Sequence, residues 1–195
     1  MTKAEKTRNY IVEKTAPIFN MKGYAGTSLN DITAATGLTK GSIYGNFANK
    51  DEVALAAFDY NLNSNVKKIE AAVSKSRSTK SKLLAYIEVY ESVLVDGITV
   101  GGCPVLNTAI DADDTHPALR EKVLRAVLSW KKGISGLVTD GINNGEITAG
   151  TDPEQVALTL IAMIEGAIMI SRLTNNFDHW HSIMNSLKKY VNSLG

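Results

Sequence analysis

The residues best equipped for chemistry fall between Thr27 and Lys50. Thr39, Lys40, Ser42, Tyr44 and Asn46 bring hydroxyl, ammonium and amide groups into one short run. Such groups read base edges in the major groove and hold phosphate oxygens. Ile43 and Phe47 are four apart, share one helical face and turn inward, so the polar residues project outward. Gly41 has no side chain and permits close backbone approach. This is the chemistry of recognition rather than catalysis. His116, His179 and His181 do not form a metal set, because the last two are two apart and face opposite sides of a helix. Cys103 and His116 could form a nucleophile–base pair, but no orienting third group accompanies them. No catalytic residue, metal or cofactor is therefore expected.

Positioning the recognition residues takes two short helices. Ser28-Leu29-Asn30-Asp31 is a capping-box pattern that opens a helix with Leu29, Ile32 and Ala35 inside and Gly37 as its stop. Leu38 fills the turn, and Thr39 caps a helix running through Phe47. Two helices across a Gly-containing turn make a helix-turn-helix. Ahead of it, Tyr10, Ile11, Ile18 and Phe19 mark a helix over 3–22 that contains Pro17, a bend, and stops at Gly23. Asn49 and Glu52 cap a fourth helix, whose stripe is Leu55, Phe58, Leu62, Val66, Ile69 and Val73. Further helices are read over 83–95, 105–110, 117–142, 152–174 and 178–194. Strand signals are missing. The fold class is all-α, divided into a helix-turn-helix domain over 1–48 and a helical sensing and dimerisation domain over 49–195.

From Phe19 to Lys50 the chain resembles the DNA-binding region of the tetracycline-repressor (TetR) family. The resemblance rests on Phe19, Gly23-Tyr24, Thr27-Ser28, Ile32, Gly37-Leu38, Lys40-Gly41-Ser42-Ile43-Tyr44, Phe47 and Lys50-Asp51. It implies that Thr27 or Ser28, Tyr44 and Lys50 hold phosphates. It also implies that Lys40, Gly41 and Ser42 approach bases, with Thr39 at the helix start. The family commonly carries a bulky residue and His where this chain has Gly45-Asn46; Asn46 can still donate to phosphate or read adenine. The implied function is a transcription regulator, by family habit a repressor, that leaves a near-palindromic operator when a small, largely apolar effector binds.

Charge distribution agrees. Residues 1–50 carry seven Lys/Arg against three Asp/Glu, while the whole chain is only +1. A basic end on a mildly acidic body suits docking on phosphates. Val156–Ile170 is apolar on every face apart from Glu165. A helix buried all round needs a second partner, so a homodimer through about 152–174 and 178–194 is expected, as the resemblance also implies. That run is shorter than the roughly 18 residues of a membrane span. The polar stretch Met1–Arg8 has no signal-peptide core. The single cysteine points to a reducing cytoplasm. The resemblance implies an apolar effector pocket, for which Tyr86, Tyr90, Cys103, Leu106, Trp130, Met163, Glu165 and Phe177 are candidate liners. An alternative is a redox or electrophile sensor at Cys103, which lies near a helix start where thiolate is favoured.

Overall fold

The computed structural model describes residues 1–95 and 101–195, with the side chains of 92–95 set aside. The described residues form helices and connecting turns, with no strand among them. In chain order these are α1 (Lys3–Gly26), α2 (Leu29–Thr36), α3 (Lys40–Tyr44), α4 (Lys50–Lys75), α5 (Thr79–Val95), α6 (Pro104–Ala112), α7 (Pro117–Asn143), α8 (Pro153–Thr174) and α9 (Phe177–Asn192). They sort into two compact units: Met1–Asn65 with Thr99–Leu124, and Val66–Ile98 with Arg125–Gly195.

The first unit is built around Ile11, Ala16, Phe19, Ile32, Ile43, Phe47, Val53 and Ala57, all buried. α1 continues through Pro17 and is broken at Gly23, whose φ of 71° lies outside the helical region. A Cβ there would also meet the Asp111 carboxylate at 2.8 Å. Asp111, expected in an acidic loop, instead ends α6 and accepts from the Tyr24 N–H at 2.6 Å. Asn20 and Asn107 complete this α1–α6 seam. Asn20 donates to the Gly102 carbonyl at 2.9 Å, and Asn107 donates to the Asn20 carbonyl at 3.0 Å and that of Gly101 at 2.8 Å.

The inward face of α4 departs from the expected stripe. Its buried residues are Val53, Ala54, Ala57, Phe58, Asn61 and Asn65, so only Phe58 is shared. Val66 is exposed. Asn61 enters the core because its amide donates to the Ala16 carbonyl at 2.9 Å. Buried polar groups are tolerated when paired in this way, and apolar spacing alone does not anticipate it.

In the second unit α8 packs against α9, and α5 packs on both. Asp152 caps α8 as expected, accepting from the Glu154 and Gln155 N–H groups, with Pro153 following. By length and composition α8 could cross a membrane, but Val156, Leu160, Ile164 and Ile168 are buried within the chain. One face of α8 stays open in the single chain, as a helix expected to need a second partner would leave it: Leu158 and Met169 are each 49% exposed, and Leu173 beyond the run is 84% exposed. α9 carries Trp180, Met184, Leu187 and Val191 on its buried side.

Candidate nucleic-acid interface

Local caps set the helix-turn-helix. Ser28 accepts from the Asp31 N–H at 3.1 Å while Asp31 accepts from the Ser28 N–H at 2.8 Å. Gly37 closes α2 at φ 67°, a left-handed position that suits glycine. Thr39 caps α3 by accepting from the Ser42 N–H at 3.2 Å. α3 was expected to reach Phe47 but ends at Tyr44. The Asn46 side chain folds back onto the Ser42 carbonyl at 2.9 Å, the local competition that makes Asn a poor helix continuer. Ile43 and Phe47 are nonetheless buried as their spacing requires.

What remains outside is a compact polar face. Ser28, Thr39, Lys40, Gly41 and Tyr44 are exposed, and Ser42 and Asn46 are half-buried. A Cβ added at Gly41 would meet nothing within 4 Å. Nothing in the chain itself requires glycine there, and glycine weakens a helix. The fold would accommodate a side chain at this position, and with glycine there the outer side of the α3 backbone is left uncovered.

Two candidates are corrected. Thr27 is fully buried, and its hydroxyl donates to the Gly23 carbonyl at 2.7 Å, so it offers no surface to a phosphate. Lys50 turns inward: its ammonium donates to the carbonyls of Tyr24 at 2.8 Å and Thr27 at 2.9 Å, and lies 4.1 Å from the Tyr24 ring centroid. It pairs backbone carbonyls at the end of α1. Lys22 likewise pairs with Asp31 at 2.6 Å. Lys40 carries no ion pair among the described residues.

One residue that spacing does not reveal is Arg8. Its guanidinium donates to the Asn46 carbonyl at 2.5 Å, pairs with Glu52 at 2.7 Å and stacks 3.9 Å from the Phe47 ring centroid. It holds the end of α3 from α1. These partners lie 38 and 44 positions away; a basic residue one turn before Ile11 was the only hint.

The carboxylates beneath the interface are held ionised. Lys22 and then the Ser28 hydroxyl and N–H keep Asp31 below the usual carboxylate range. The Ala48 N–H and then Arg8 lower Glu52. Tyr24 donates its hydroxyl to Asp51, which with burial pushes its pKa up to about 12. Its ring meets His116 edge-on at 4.4 Å.

The candidate effector residues divide between the units. Cys103 and Leu106 belong to the first, and Cys103 is 1% exposed. In the second, Tyr86 and Tyr90 are buried on α5, and Tyr90 stacks on Trp130 at 5.3 Å between centroids. Burial, then Glu70, raises the Tyr86 pKa. Met163 and Glu165 are half-buried on α8. Phe177 departs from an interior role, being 43% exposed at the start of α9.

A capped helix-turn-helix with a polar, outward-facing second helix, within an otherwise helical chain, defines a DNA-binding transcription regulator rather than an enzyme. Comparison with known proteins gives the family. Residues 11–57 match the model described as bacterial regulatory proteins, tetR family, and residues 79–187 match the tetracyclin repressor-like C-terminal domain. The chain belongs to the TetR family of transcription regulators. A solved TetR-family regulator from Cytophaga hutchinsonii is 47% identical with a TM-score of 0.91, covering 100% of this chain and 97% of that one. One from Chloroflexus aurantiacus is 39% identical with a TM-score of 0.94, covering 99% and 98%. The HTH-type transcriptional repressor DhaR of Mycobacterium sp. (strain GP1) is 29% identical over 174 residues, 87% of this chain and 84% of DhaR.

Proposed function

We propose that this regulator is a cytoplasmic, homodimeric repressor whose α3 enters the major groove of a near-palindromic operator. Lys40, Gly41 and Ser42 approach base edges; Ser28, Thr39, Tyr44 and Asn46 hold phosphates or fix the helix start. Residues 1–48 are the DNA-binding domain and 49–195 the sensing and dimerisation domain. The observation that carries this reading is the α3 face itself: exposed donors around a glycine for which the chain supplies no internal reason. Lys40→Ala and Tyr44→Phe weaken operator binding while circular dichroism stays unchanged. Full binding by both variants overturns the assignment.

The dimer forms through α8 and α9. Leu158, Ala162, Met169 and Leu173 recur at four- and seven-residue spacing and are exposed in the single chain, an apolar stripe that a symmetric copy would cover. Two recognition helices then meet successive major grooves about 34–36 Å apart. A small, largely apolar effector binds beside the Tyr86–Tyr90–Trp130 seam and shifts the dimer between two geometries, so that operator is released. α4, spanning Lys50–Lys75, is the lever. Burial of Cys103 works against oxidant access and disfavours the redox alternative. Tight effector binding without any change in operator affinity would refute this coupling.

A further inference from the structure

We infer that the first unit contains a binding site for a small primary ammonium compound with a compact apolar body. The site is a cavity between α1, α4, α6 and the start of α7. It belongs to other helices than the Tyr86–Tyr90–Trp130 seam, and it stands whether or not an effector binds there.

The cavity measures about 350 Å³, counted with its open mouth. All the residues lining it belong to the first unit. Phe19, Phe58 and Leu119, each buried, supply apolar walls, and Asn61, Asn107 and Asp111 supply polar ones. The volume is at the low end of ligand pockets, so it suits a molecule of a few heavy atoms.

Three asparagines make the polar wall a wall of acceptors. Each turns its amino group to a backbone carbonyl: Asn61 to Ala16 at 2.9 Å, Asn20 to Gly102 at 2.9 Å and Asn107 to Gly101 at 2.8 Å. A carbonyl can only accept, so the N–H side of each amide is fixed there and the oxygen faces elsewhere. The Asn20 oxygen is used, accepting from Asn107 at 3.2 Å. The oxygens of Asn61 and Asn107 have no hydrogen bond among the described residues. Asn61 is the more telling of the two. It is only 9% exposed, yet its oxygen is not sealed from solvent, and the open space it lines is this cavity. A buried acceptor facing a cavity calls for a donor.

Asp111 sets the charge. One carboxylate oxygen accepts from the Tyr24 N–H at 2.6 Å, and the group has no ion pair among the described residues. Lys22, Lys50 and Lys122 stand on the same elements, but each is committed: to Asp31, to the Tyr24 and Thr27 carbonyls, and to Asp59. An ammonium has three donors and no acceptor. It would satisfy the amide oxygens and the carboxylate together, with its apolar body against Phe19, Phe58 and Leu119. A carboxylate ligand would meet acceptors and a like charge.

The full-length protein is titrated at matched ionic strength with isobutylammonium, isobutanol and 3-methylbutanoate, which share one apolar body. The ammonium shifts the Tyr24 backbone amide and the Asn61 and Asn107 side-chain amides in ¹H–¹⁵N spectra. Molecules this small bind weakly, with a dissociation constant of about a millimolar. The ammonium binds about tenfold more tightly than the alcohol, and the carboxylate leaves those signals in place. Asp111→Asn keeps an acceptor for the Tyr24 N–H and removes the charge; it brings the ammonium to within about twofold of the alcohol. Thr108→Phe, at a half-buried position in the lining, fills the cavity and weakens both compounds at least about fivefold. It reads the site if Asp111→Asn does not fold. The inference is overturned if none of the three compounds moves these signals, or if the carboxylate moves them as far as the ammonium. Equal affinity for ammonium and alcohol in the wild type overturns it, as does ammonium binding unchanged by Thr108→Phe. Shifts confined to exposed carboxylates elsewhere on the chain would mean non-specific ion binding and also overturn it.

Discussion

Gly41→Ala separates folding from function more cleanly than loss of any charged side chain. Gly41 is helical within α3, and a Cβ built there meets nothing within 4 Å. Alanine restricts the unfolded chain without meeting a clash, which stabilises by about 0.4–1 kcal/mol. For a chain of this size that raises the melting temperature by about 1–3 °C. On DNA the sign reverses. If the α3 backbone lies against the groove at Gly41, the added methyl holds it off and loosens the contacts of Lys40 and Ser42. A misplaced base contact costs about 1–3 kcal/mol, so each half-site loses about tenfold and a dimer on two half-sites about a hundredfold. The assays are thermal denaturation by circular dichroism and a fluorescence-anisotropy titration of operator DNA at fixed salt. Raised stability with unchanged affinity would refute the argument that the glycine answers to DNA. Lowered stability would refute the reading of open space.

Other expectations follow from the same geometry. Arg8→Ala removes a charged hydrogen bond to Asn46 and a stacking contact on Phe47, together about 1.5–2 kcal/mol at this half-exposed site. It weakens operator binding without changing the salt slope, since Arg8 is committed inside; a shallower slope would mean that Arg8 touches phosphate. Leu158→Glu combined with Met169→Lys places charge on the α8 stripe and yields monomers in light scattering at micromolar concentration; an intact dimer would move the interface elsewhere. The pH dependence has a definite sign. Asp31 and Glu52 have folded pKa values below their unfolded ones, so their stabilisation is present above the usual carboxylate range and is lost as pH falls through it. Asp31→Asn therefore destabilises at neutral pH and converges on wild type in acid, as read by denaturant titration at several pH values.

The parts of the fold visible in the sequence are those fixed by neighbours a few positions apart. Ser28 with Asp31, Gly37, Thr39 with Ser42, and Asp152 with Pro153 each act within one helical turn, and the structure has all of them where the pattern put them. What the pattern missed depends on partners far along the chain. Asn61 is inside because it pairs the Ala16 carbonyl, and Lys50 turns inward because the end of α1 offers it the Tyr24 and Thr27 carbonyls. Arg8 reaches α3 across 38 positions. Spacing rules assign polar residues to the surface, and they fail where a distant backbone group pairs a polar side chain.

That failure bears directly on the DNA-binding end. The excess of basic residues in the first fifty suggests a basic end that docks on phosphates, but a count of charges does not distinguish those facing phosphate from those holding the fold. Arg8, Lys22 and Lys50 are each engaged within the chain, by Glu52 and Asn46, by Asp31, and by the carbonyls of Tyr24 and Thr27. Each steadies one part of the scaffold: the end of α3, the start of α2, and the break after α1. Of the seven basic residues in the first fifty, these three build the platform, while Lys3, Lys6, Lys14 and Lys40 carry no ion pair among the described residues. On the proposed reading Lys40, at the start of α3, is the one that meets the groove, so recognition would rest on a few uncommitted groups that a rigid platform presents.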